Sequence, residues 1–561
     1  MDSADGFDAF RALAERHGRP GARLIESLAE AAAGASGGPA EWAPGVAERL
    51  GLPASAGLGP ATFYADLAAG RARRHVRVCT AAACFAAGAG AHLPEVERVL
   101  GAGVDGVSPD GQTSLQAVRC LGYCYAGPAC LDGDTSCTGP TLADQLAGRV
   151  PPQAPPIPAA DTTGDPVVLA GIAGDEVPWQ VWAETLGART PDQVRAEIAA
   201  SGLRGRGGAG FPVAAKWAAA GRSPGTVVIA NGDEGDPGSY ADRLLMEGDP
   251  GRVLEGLALA CFACGARHGL VMVRSEYPQA LAAMRDALRR AYDDGHLGRT
   301  AGGGETDLDI RIVEGAGSYV AGEETALIAS LEGQRGCARP RPPYPTRHGL
   351  WQAPTVVNNV ETLAAVPWIV RHGGHAYARR GTPAETGTKL VSLSERFARP
   401  GCYEVELGTP VLRIVTELGG GLKAGSELEV VQIGGPLGGF LAADRLDTPL
   451  TEAALESRGA ALGHAGLVAF DQRVRPEEVL RHVWRFAAAE SCGACSPCRV
   501  GSRRGLELVG DTPPGEEYAR LLRVMEEASM CAFGRRVPPA VRSLARAYGD
   551  RLAGWDPGWD R

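Results

Sequence analysis

Three cysteines stand three residues apart near the carboxyl end of the chain, at Cys492, Cys495 and Cys498. Thiolates at this spacing can each ligate a different iron of one cubane cluster, and a more distant cysteine, here Cys531, then ligates the fourth iron. The alternative is structural zinc, which usually takes its ligands as two short pairs and leaves the middle cysteine of a triplet poorly placed. The spacing therefore predicts a [4Fe–4S] cluster and requires a fold that returns Cys531 to the triplet.

A second group of cysteines forms two close pairs, Cys79 with Cys84 and Cys120 with Cys124. Each pair follows a short apolar segment that predicts a strand. Four thiolates arranged in two such pairs suit the ligand shell of a [2Fe–2S] cluster. A zinc site or unrelated thiols are the alternatives from spacing alone.

The remaining six of the 14 cysteines carry no comparable pattern. Two of them form a C-x-x-C, but they lie within an apolar segment that predicts a buried helix, which favours a packing role over a redox role. Two others lack a partner at matching distance and are interpreted as bystanders, and the last two are unassigned. The C-x-x-C pair is Cys261 and Cys264, and the bystanders are Cys130 and Cys137. The unassigned cysteines are Cys337 and Cys402.

Composition narrows the class of protein. A chain of 561 residues exceeds what one hydrophobic core holds, so about three to five domains are expected. The net charge of -10 argues against nucleic acid as the main partner. The first residues lack a basic, apolar leader, and Leu257–Ala266 is far shorter than the roughly 20 apolar residues of a membrane span. We expect a soluble, cytoplasmic protein, where closely spaced thiols indicate metal chemistry more often than disulfides.

The chain divides by pattern into six segments. Ala-rich helical patterns, including Asp8–Arg16, open the chain, and a run with six prolines predicts an extended linker. Alternating strands and helices follow, which indicates an α/β layer with at least partly parallel strands. Short β-rich runs and then helices complete the chain. The boundaries predicted are 1–70, 71–150, 151–166 (the linker), 167–387, 388–475 and 476–561.

Individual elements are predicted from the same periodicities. Strands are expected at Val76–Val78, Ser114–Val118, Thr226–Ala230, Leu270–Val273, Leu308–Val313, Leu390–Leu393 and Leu428–Ile433. Helices are expected at Arg252–Cys264 and Gln279–Tyr292.

A glycine-rich segment, Ser201–Phe211 (SGLRGRGGAGF), precedes a predicted helix at Val213–Ala220. The residues before it are helical in pattern, so it does not meet the strand-first requirement of a dinucleotide-binding fingerprint. Its free backbone N–H groups and two arginines nevertheless suit a phosphate or the edge of a flavin. A purely structural turn is the alternative.

Two predicted strands end in segments that combine glycine with acids and amides. One is Asn231–Gly238 (NGDEGDPG) and the other is Gly315–Thr325 (GAGSYVAGEET). Ligands of α/β sheets bind beyond the carboxyl ends of the strands, so these segments and the glycine-rich loop predict one shared cleft. Further candidate pieces are Arg341–Pro345, Thr355–Thr362 and Gly434–Gly439.

Together these motifs resemble the NADH-dehydrogenase module of respiratory complex I and its soluble relatives. GLRGRGGAGFP, GAGSYVAGEETAL, PTVVNNVETL and ESCGACSPCR are similar to its flavin-binding subunit, and Ala61–Tyr64 through CLGYC is similar to its thioredoxin-like [2Fe–2S] subunit. The resemblance implies an α/β multidomain protein. Its parts would be an N-terminal helical segment, a thioredoxin-like [2Fe–2S] domain, a Rossmann-like FMN/NADH domain, a β-rich ubiquitin-like (SLBB-type) domain and a C-terminal helical bundle that carries the [4Fe–4S] cluster.

The resemblance also implies the cofactor contacts. FMN would contact Gly205, Arg206, Gly207, Lys216, Asn231, Asp233, Glu234, Tyr319, Gly322, Glu323, Asn358, Asn359 and Thr362. NAD(H) would stack on the flavin near Phe211, Asp236, Glu324 and Tyr344. FMN can take two electrons as hydride and release them singly, so no side chain is needed as a catalytic nucleophile or base.

Two positions depart from the family pattern, and the first of them bears on the partner. Asp236 stands where complex I typically has glutamate, and Arg341 stands where lysine is usual. The aspartate version and the fusion of two subunits in one chain look more like NAD-reducing hydrogenases and NAD-dependent formate dehydrogenases. We therefore expect partner iron–sulfur and catalytic subunits of such a complex. The alternatives are the fused input subunits of complex I and, in another class, an iron–sulfur assembly scaffold without FMN.

Overall fold

The structure, a computed structural model, describes residues 23–35, 37–68, 70–222, 225–301, 306–510 and 515–556. The predicted helix at Asp8–Arg16 lies outside these residues. Within the described ranges no helix has both the length and the apolar character that crossing a membrane demands.

The first described elements are four helices that pack together, as their Ala-rich patterns predict. They also lie against the Gly315–Thr325 segment, where Ala316 joins their core and the Gly317 carbonyl accepts the Ala65 N–H at 3.0 Å. The helices are α1 (Leu24–Gly34), α2 (Pro39–Arg49), α3 (Ala54–Ala61) and α4 (Ala65–Ala68).

The first sheet has the strand order β2-β3-β1-β4-β5. Strands β1 and β3 are parallel, and β4 runs antiparallel to β1. The two strands predicted before the cysteine pairs are confirmed, because β1 ends at Cys79 and β3 ends two residues before Cys120. The elements are β1 (Arg74–Cys79), α5 (Ala82–Gly88), α6 (His92–Leu100), β2 (Gly106–Val107), β3 (Thr113–Val118), β4 (Ala129–Asp132), β5 (Thr135–Thr138) and α7 (Leu142–Leu146).

The central sheet has the order β11-β7-β8-β10-β9. Strands β11, β7, β8 and β10 are parallel and β9 is antiparallel, which confirms the partly parallel α/β layer. The elements are α8 (Gln180–Ala188), α9 (Pro191–Ser201), α10 (Val213–Ala220), β7 (Val227–Gly232), α11 (Ala241–Gly248), α12 (Pro250–Cys264), β8 (His268–Val273), α13 (Pro278–Asp293), β9 (Gly298–Ala301), β10 (Thr306–Glu314), α14 (Glu324–Leu331), β11 (Thr355–Asn359), α15 (Val360–Ala364), α16 (Val366–His372) and α17 (Gly374–Ala378).

The third sheet has the order β15-β14-β16-β12-β13-β6. Its edge strand β6 comes from the segment predicted as a linker, so that segment is not wholly irregular. Buried Glu404 anchors the chain just beyond, because its carboxylate accepts the backbone N–H groups of Val167, Val168 and Leu169. The elements are β6 (Ala159–Asp161), β12 (Thr388–Leu393), β13 (Gly401–Glu406), α18 (Val411–Arg413), β14 (Leu428–Ile433), β15 (Phe440–Ala442), α19 (Glu452–Glu456) and β16 (Gly466–Asp471).

Helices complete the described chain from Pro476, as predicted. They are α20 (Pro476–Glu490), α21 (Ser496–Leu508), α22 (Glu516–Ala528) and α23 (Ala532–Tyr548). Cys492 lies in the turn from α20 to α21, Cys495 directly precedes α21, and Cys498 lies in its first turn. Cys531 directly precedes α23.

Candidate functional site: two thiol clusters around a strand-end cleft

The four C-terminal cysteines line one cavity. Cys495 and Cys531 immediately precede helices, and Cys498 lies in the first turn of α21, so three of the four thiols stand at helix N-termini. The rest of the wall is mostly apolar: Val320, Ala338, Ser491, Ala494, Met530 and Phe533. The folded chain therefore brings Cys531 to the triplet. A cavity lined by four thiols fits a [4Fe–4S] cluster.

Hydrogen-bond donors surround the sulfurs of this cavity. The Met530 N–H points to Cys495 Sγ at 3.5 Å, and such donors stabilise negative charge on thiolates and clusters. Cys337, which the sequence left unassigned, donates to the Cys492 carbonyl at 3.5 Å. Its side-chain hydrogen bond to Cys492 also lowers the pKa of Cys492 to about 6, against the effect of burial.

The four N-terminal cysteines also form one cluster, and each is at most 1% exposed. The Sγ atoms of Cys120 and Cys124 are 3.5 Å apart, and the Cys79 thiol contacts both Cys84 and Cys120. The hydrogen bond with Cys124 lowers the pKa of Cys120, but contact with Cys79 and burial outweigh it and raise that pKa to about 12. Four thiols so close and so buried ionise only beside a positive centre, which fits metal ligation.

The bystander cysteines lie apart from this cluster. Cys130 and Cys137 face each other across β4 and β5 and pack in a separate core with Val76 and Val78. Alternate residues of β1 point to opposite faces of the sheet, so Val78 and Cys79 belong to different cores. The buried C-x-x-C of α12 is likewise part of the central core, as predicted.

The [2Fe–2S]-type domain contacts α20, the helix that leads to the cysteine triplet. Phe85, next to Cys84, stacks on His482 with ring centroids 4.5 Å apart. Arg119, next to Cys120 in the chain, lies 3.7 Å from Glu490 at the end of α20. Helix α20 therefore connects the surroundings of the two thiol clusters.

The CLGYC loop packs on the central α/β layer. Arg243 of α11 donates to the Gly122 carbonyl at 3.0 Å, and its guanidinium lies 3.8 Å from the Tyr123 ring centroid. Tyr277 in turn donates to the Glu234 carbonyl, in the loop that follows β7. The N-terminal thiol cluster is thus placed beside the predicted cleft.

The glycine-rich loop lies over the carboxyl end of β11. Its base is closed by the Gly205 N–H, which donates to the Phe211 carbonyl at 2.9 Å, and the Arg206 N–H donates to Thr362 Oγ1 at 2.9 Å. A Cβ on Gly207 would lie 2.9 Å from the Cβ of Asn359, so this close approach requires glycine.

Amide and acid side chains meet at the ends of the parallel strands β7 and β11. Asn231 and Asn359 are register partners, and Asn231 Nδ2 donates to the Gly322 carbonyl at 2.8 Å. Asn358 accepts a hydrogen bond from the Trp217 indole at 2.9 Å. Burial raises the pKa of Asp233 to about 7, and its Oδ2 has no hydrogen-bond partner. A buried acceptor without a donor at this place fits a ligand that brings one, such as a flavin nucleotide.

Three residues that were predicted to contact FMN have side chains that hydrogen-bond to other groups of the protein. The Glu234 carboxylate accepts the N–H groups that open α11, and the Glu323 carboxylate accepts the N–H groups that open α14. The Arg206 guanidinium donates to Tyr377 Oη and the Thr386 carbonyl, both at 2.8 Å. These side chains hold the walls of the cleft, and their contact with a flavin stays a prediction.

One side of the cleft carries the exposed ring of Phe211 and a charge network, and Tyr344 is exposed three residues after Arg341 of that network. Phe211 is 51% exposed and Tyr344 is 56% exposed. Glu324 pairs with Lys216 at 3.0 Å and with Arg341 at 2.5 Å. Exposed rings beside paired charges suit a flat ring with ribose or phosphate groups attached.

Two side chains near the cleft were missed by the sequence analysis. Asp242 of α11 accepts hydrogen bonds from Asn359 Nδ2 at 2.6 Å and from the Glu361 N–H. His464 lies 3.2 Å from Asp236, although it is more than 220 positions away in the chain. In the sequence, His464 stands in a short G-H-A-G run that matches no ligand-binding motif.

Three family models match the chain in order. The model described as "Thioredoxin-like [2Fe-2S] ferredoxin" covers residues 10–143. "Nuo51 FMN-binding domain" covers 198–368, and "NADH-ubiquinone oxidoreductase-F iron-sulfur binding region" covers 478–553. The eight cysteines of the two thiol clusters fall within the two iron–sulfur matches.

Curated relatives and a solved structure extend the likeness. The NADP-reducing hydrogenase subunit HndC of Solidesulfovibrio fructosivorans is 37% identical over 64% of this chain and 75% of its own length. A subunit of the NADH-quinone oxidoreductase of Escherichia coli is 36% identical over 61% of this chain and 78% of its own. A chain of an NAD+-reducing [NiFe]-hydrogenase in the H2-reduced state is 30% identical, with a TM-score of 0.85 over 96% of this chain and 93% of that one.

Proposed function

Because the chain belongs to the family that contains the hydrogenase subunit HndC and its counterparts in NADH-quinone oxidoreductases, we propose that it is the nucleotide-side subunit of a multisubunit redox complex. It is an NAD(H)-dependent FMN iron–sulfur oxidoreductase with one [2Fe–2S] and one [4Fe–4S] cluster. The partner complex we propose is a NAD-reducing hydrogenase or formate dehydrogenase. The observation that carries this choice is the near full-length match of one fused chain to an NAD+-reducing [NiFe]-hydrogenase chain.

FMN, when bound, supplies the exchange between hydride from NAD(H) and single electrons. The residues of the chain bind and orient. We propose that the 205–211 loop and Asn231 hold FMN, with Asp233 as the acceptor for a donor on the flavin nucleotide. Lys216 contacts FMN as well. The nicotinamide nucleotide is proposed to lie near Phe211, Asp236, Glu324 and Tyr344.

We propose that each cluster is held by four cysteines. Cys492, Cys495, Cys498 and Cys531 would hold the [4Fe–4S] cluster, and Cys79, Cys84, Cys120 and Cys124 would hold the [2Fe–2S] cluster. The β-rich third sheet is proposed as the ubiquitin-like (SLBB-type) domain.

Anaerobic copurification with metal analysis tests the choice of partner. Nickel in the complex would support a hydrogenase and molybdenum a formate dehydrogenase. Fused input subunits of complex I would instead copurify with quinone-reducing subunits and neither metal. A preparation free of both FMN and iron would contradict the whole proposal and favour another class of protein.

Replacing Glu324 with alanine should raise the KM for NADH at least tenfold and leave the FMN content unchanged. The carboxylate pairs with Lys216 and Arg341 beside the exposed Phe211. FMN is proposed to be held by the glycine-rich loop, Asn231 and Asp233, which this substitution leaves in place. Steady-state kinetics and flavin extraction measure the two effects. Glu184→Ala, at an exposed glutamate paired with Arg371, is the control and should change neither. Equal loss of FMN and of NADH affinity in Glu324→Ala would contradict this role.

A further inference from the structure

His464 reaches the cleft from the third sheet. It lies in the turn that precedes β16 and is 6% exposed. Its Nδ1 accepts the Gly466 N–H at 3.2 Å, which requires Nδ1 to be unprotonated and places the ring hydrogen on Nε2. That Nε2 lies 3.2 Å from Asp236 Oδ2. Local backbone therefore fixes the tautomer and makes Nε2 an N–H donor that lies close to Asp236.

A second donor holds the other oxygen of Asp236. The Tyr319 hydroxyl donates to Asp236 Oδ1, and burial raises the pKa of Tyr319 well above its ordinary value, so this phenol is a neutral donor. The Tyr319 N–H in turn donates to Glu490 at 3.1 Å. The Asp236 carboxylate is thus held between the Gly315–Thr325 segment and the third sheet.

Both His464 and Asp236 keep hydrogen-bonding groups that no neighbouring side chain satisfies. The 3.2 Å separation is short, yet the Nε2–H is not aligned with the carboxylate, and Nε2 is buried without a well-formed hydrogen bond. A buried N–H without an acceptor costs free energy, and a ligand oxygen that accepts a hydrogen bond from it would remove that cost. Asp236 likewise has lone pairs beyond the one that the Tyr319 hydroxyl engages.

The surroundings place this pair at the glycine-rich loop. A Cβ on Gly435, which has φ +81°, would lie 2.9 Å from His464 Nε2 and 3.1 Å from Asp236 Oδ1, so glycine keeps the space beside both atoms open. A Cβ on Gly208 of the glycine-rich loop would lie 3.7 Å from the Gly463 carbonyl carbon and 4.0 Å from His464 N. The backbone that carries His464 therefore borders the loop proposed to hold FMN.

We propose that His464 is a positioning residue for the nicotinamide nucleotide, orienting Asp236 and presenting its Nε2–H to an oxygen of that ligand. This inference rests on the proposed function. It also accounts for the short acid at position 236, since a glutamate would extend one methylene further into the place that the imidazole occupies. The aspartate and the histidine act as a matched pair.

Titration of NAD+ into the anaerobic holoenzyme, followed by calorimetry, tests the pair. His464→Ala should weaken NAD+ binding at least tenfold, while His464→Gln, which keeps a donor, should recover part of the loss. Asp236→Glu should also weaken binding, and Asp236→Glu/His464→Ala should bind NAD+ better than Asp236→Glu alone, because the crowding is relieved. His375→Ala, at an exposed histidine of α17, is the control.

FMN content and the KM and kcat for NADH separate this role from a structural one. We expect unchanged FMN and a change in KM larger than that in kcat. Normal NAD+ affinity in His464→Ala, or strictly additive effects in the double variant, would overturn the inference. Loss of FMN in both His464→Ala and His464→Gln would assign the residue to the flavin or the fold and overturn it as well. Failure of the proposed function is distinct, because the unmodified protein would then lack FMN or fail to oxidise NADH.

Discussion

The substitution Cys495→Ser should lower the rate of electron transfer to the partner subunit at least a hundredfold and leave FMN bound. Cys495 is one of four thiols around the C-terminal cavity, and its Sγ receives the Met530 N–H. Loss of one ligand should remove the [4Fe–4S] cluster, about four iron atoms per chain. The flavin cleft is built from other elements, so reduction of FMN by NADH should persist. Iron analysis, low-temperature EPR and partner-linked kinetics measure the effect.

A fifth thiol, that of Cys337, lies next to this cavity. Cys337 contacts Cys492, so it is a candidate replacement ligand once Cys495 is lost. Cys495→Ser is therefore measured both alone and together with Cys337→Ala, with Cys337→Ala alone as reference. Cys264→Ala, at a buried thiol of α12, is the matched control and should keep all iron. Full iron content and normal partner reduction in the Cys495→Ser/Cys337→Ala variant would refute the assignment.

Replacing Lys389 with methionine should destabilise the protein by about 3–5 kcal/mol, the usual cost of leaving one buried charge unpaired. Lys389 of β12 is 0% exposed and pairs with Glu361 of α15, which is 2% exposed. The pair joins the third sheet to the α/β layer that carries the cleft. Urea unfolding followed by tryptophan fluorescence should show a lower midpoint. Midpoints are compared because a multidomain chain has no single two-state free energy.

Two variants separate the lost pairing from lost packing. Lys389→Met/Glu361→Gln removes both charges and should recover most of the midpoint, since a buried pair replaced as a whole is often tolerated. Lys423→Met removes an exposed lysine that pairs with Glu395 and should change stability by less than about 0.5 kcal/mol. A double variant no more stable than Lys389→Met would show that pairing is not the cause.

Patterns that span only a few residues were sufficient for the elements and the cofactor classes. The predicted helix at Val213–Ala220 and the predicted strand at Leu428–Ile433 have the bounds found in the structure. The comparisons confirm FMN, NAD(H) and the two cluster types expected from the cysteine spacing and the family resemblance. The helices from Pro476 onwards were also predicted, because helix periodicity repeats within one or two turns.

The linker shows where composition misleads. Prolines in 151–166 predicted extended, independent chain, and part of it is extended. What the sequence could not show is that Ala159–Asp161 pairs with β13, more than 230 residues later, or that Glu404 fixes the next residues. A strand of three residues has too little periodicity to predict, and an edge position depends on which neighbour is available.

The sequence by itself determined which groups this protein uses, since ligand type and spacing are local properties of cysteines, glycines and acids. Only the tertiary structure decided how those groups are arranged: that Glu234 and Glu323 cap helices, that Cys337 contacts Cys492, and that His464 lies beside Asp236. The physical reason is range. Periodicity and spacing act within about ten residues, whereas the partner of a buried polar side chain is whichever donor or acceptor the packing of distant segments brings within 3 Å or so.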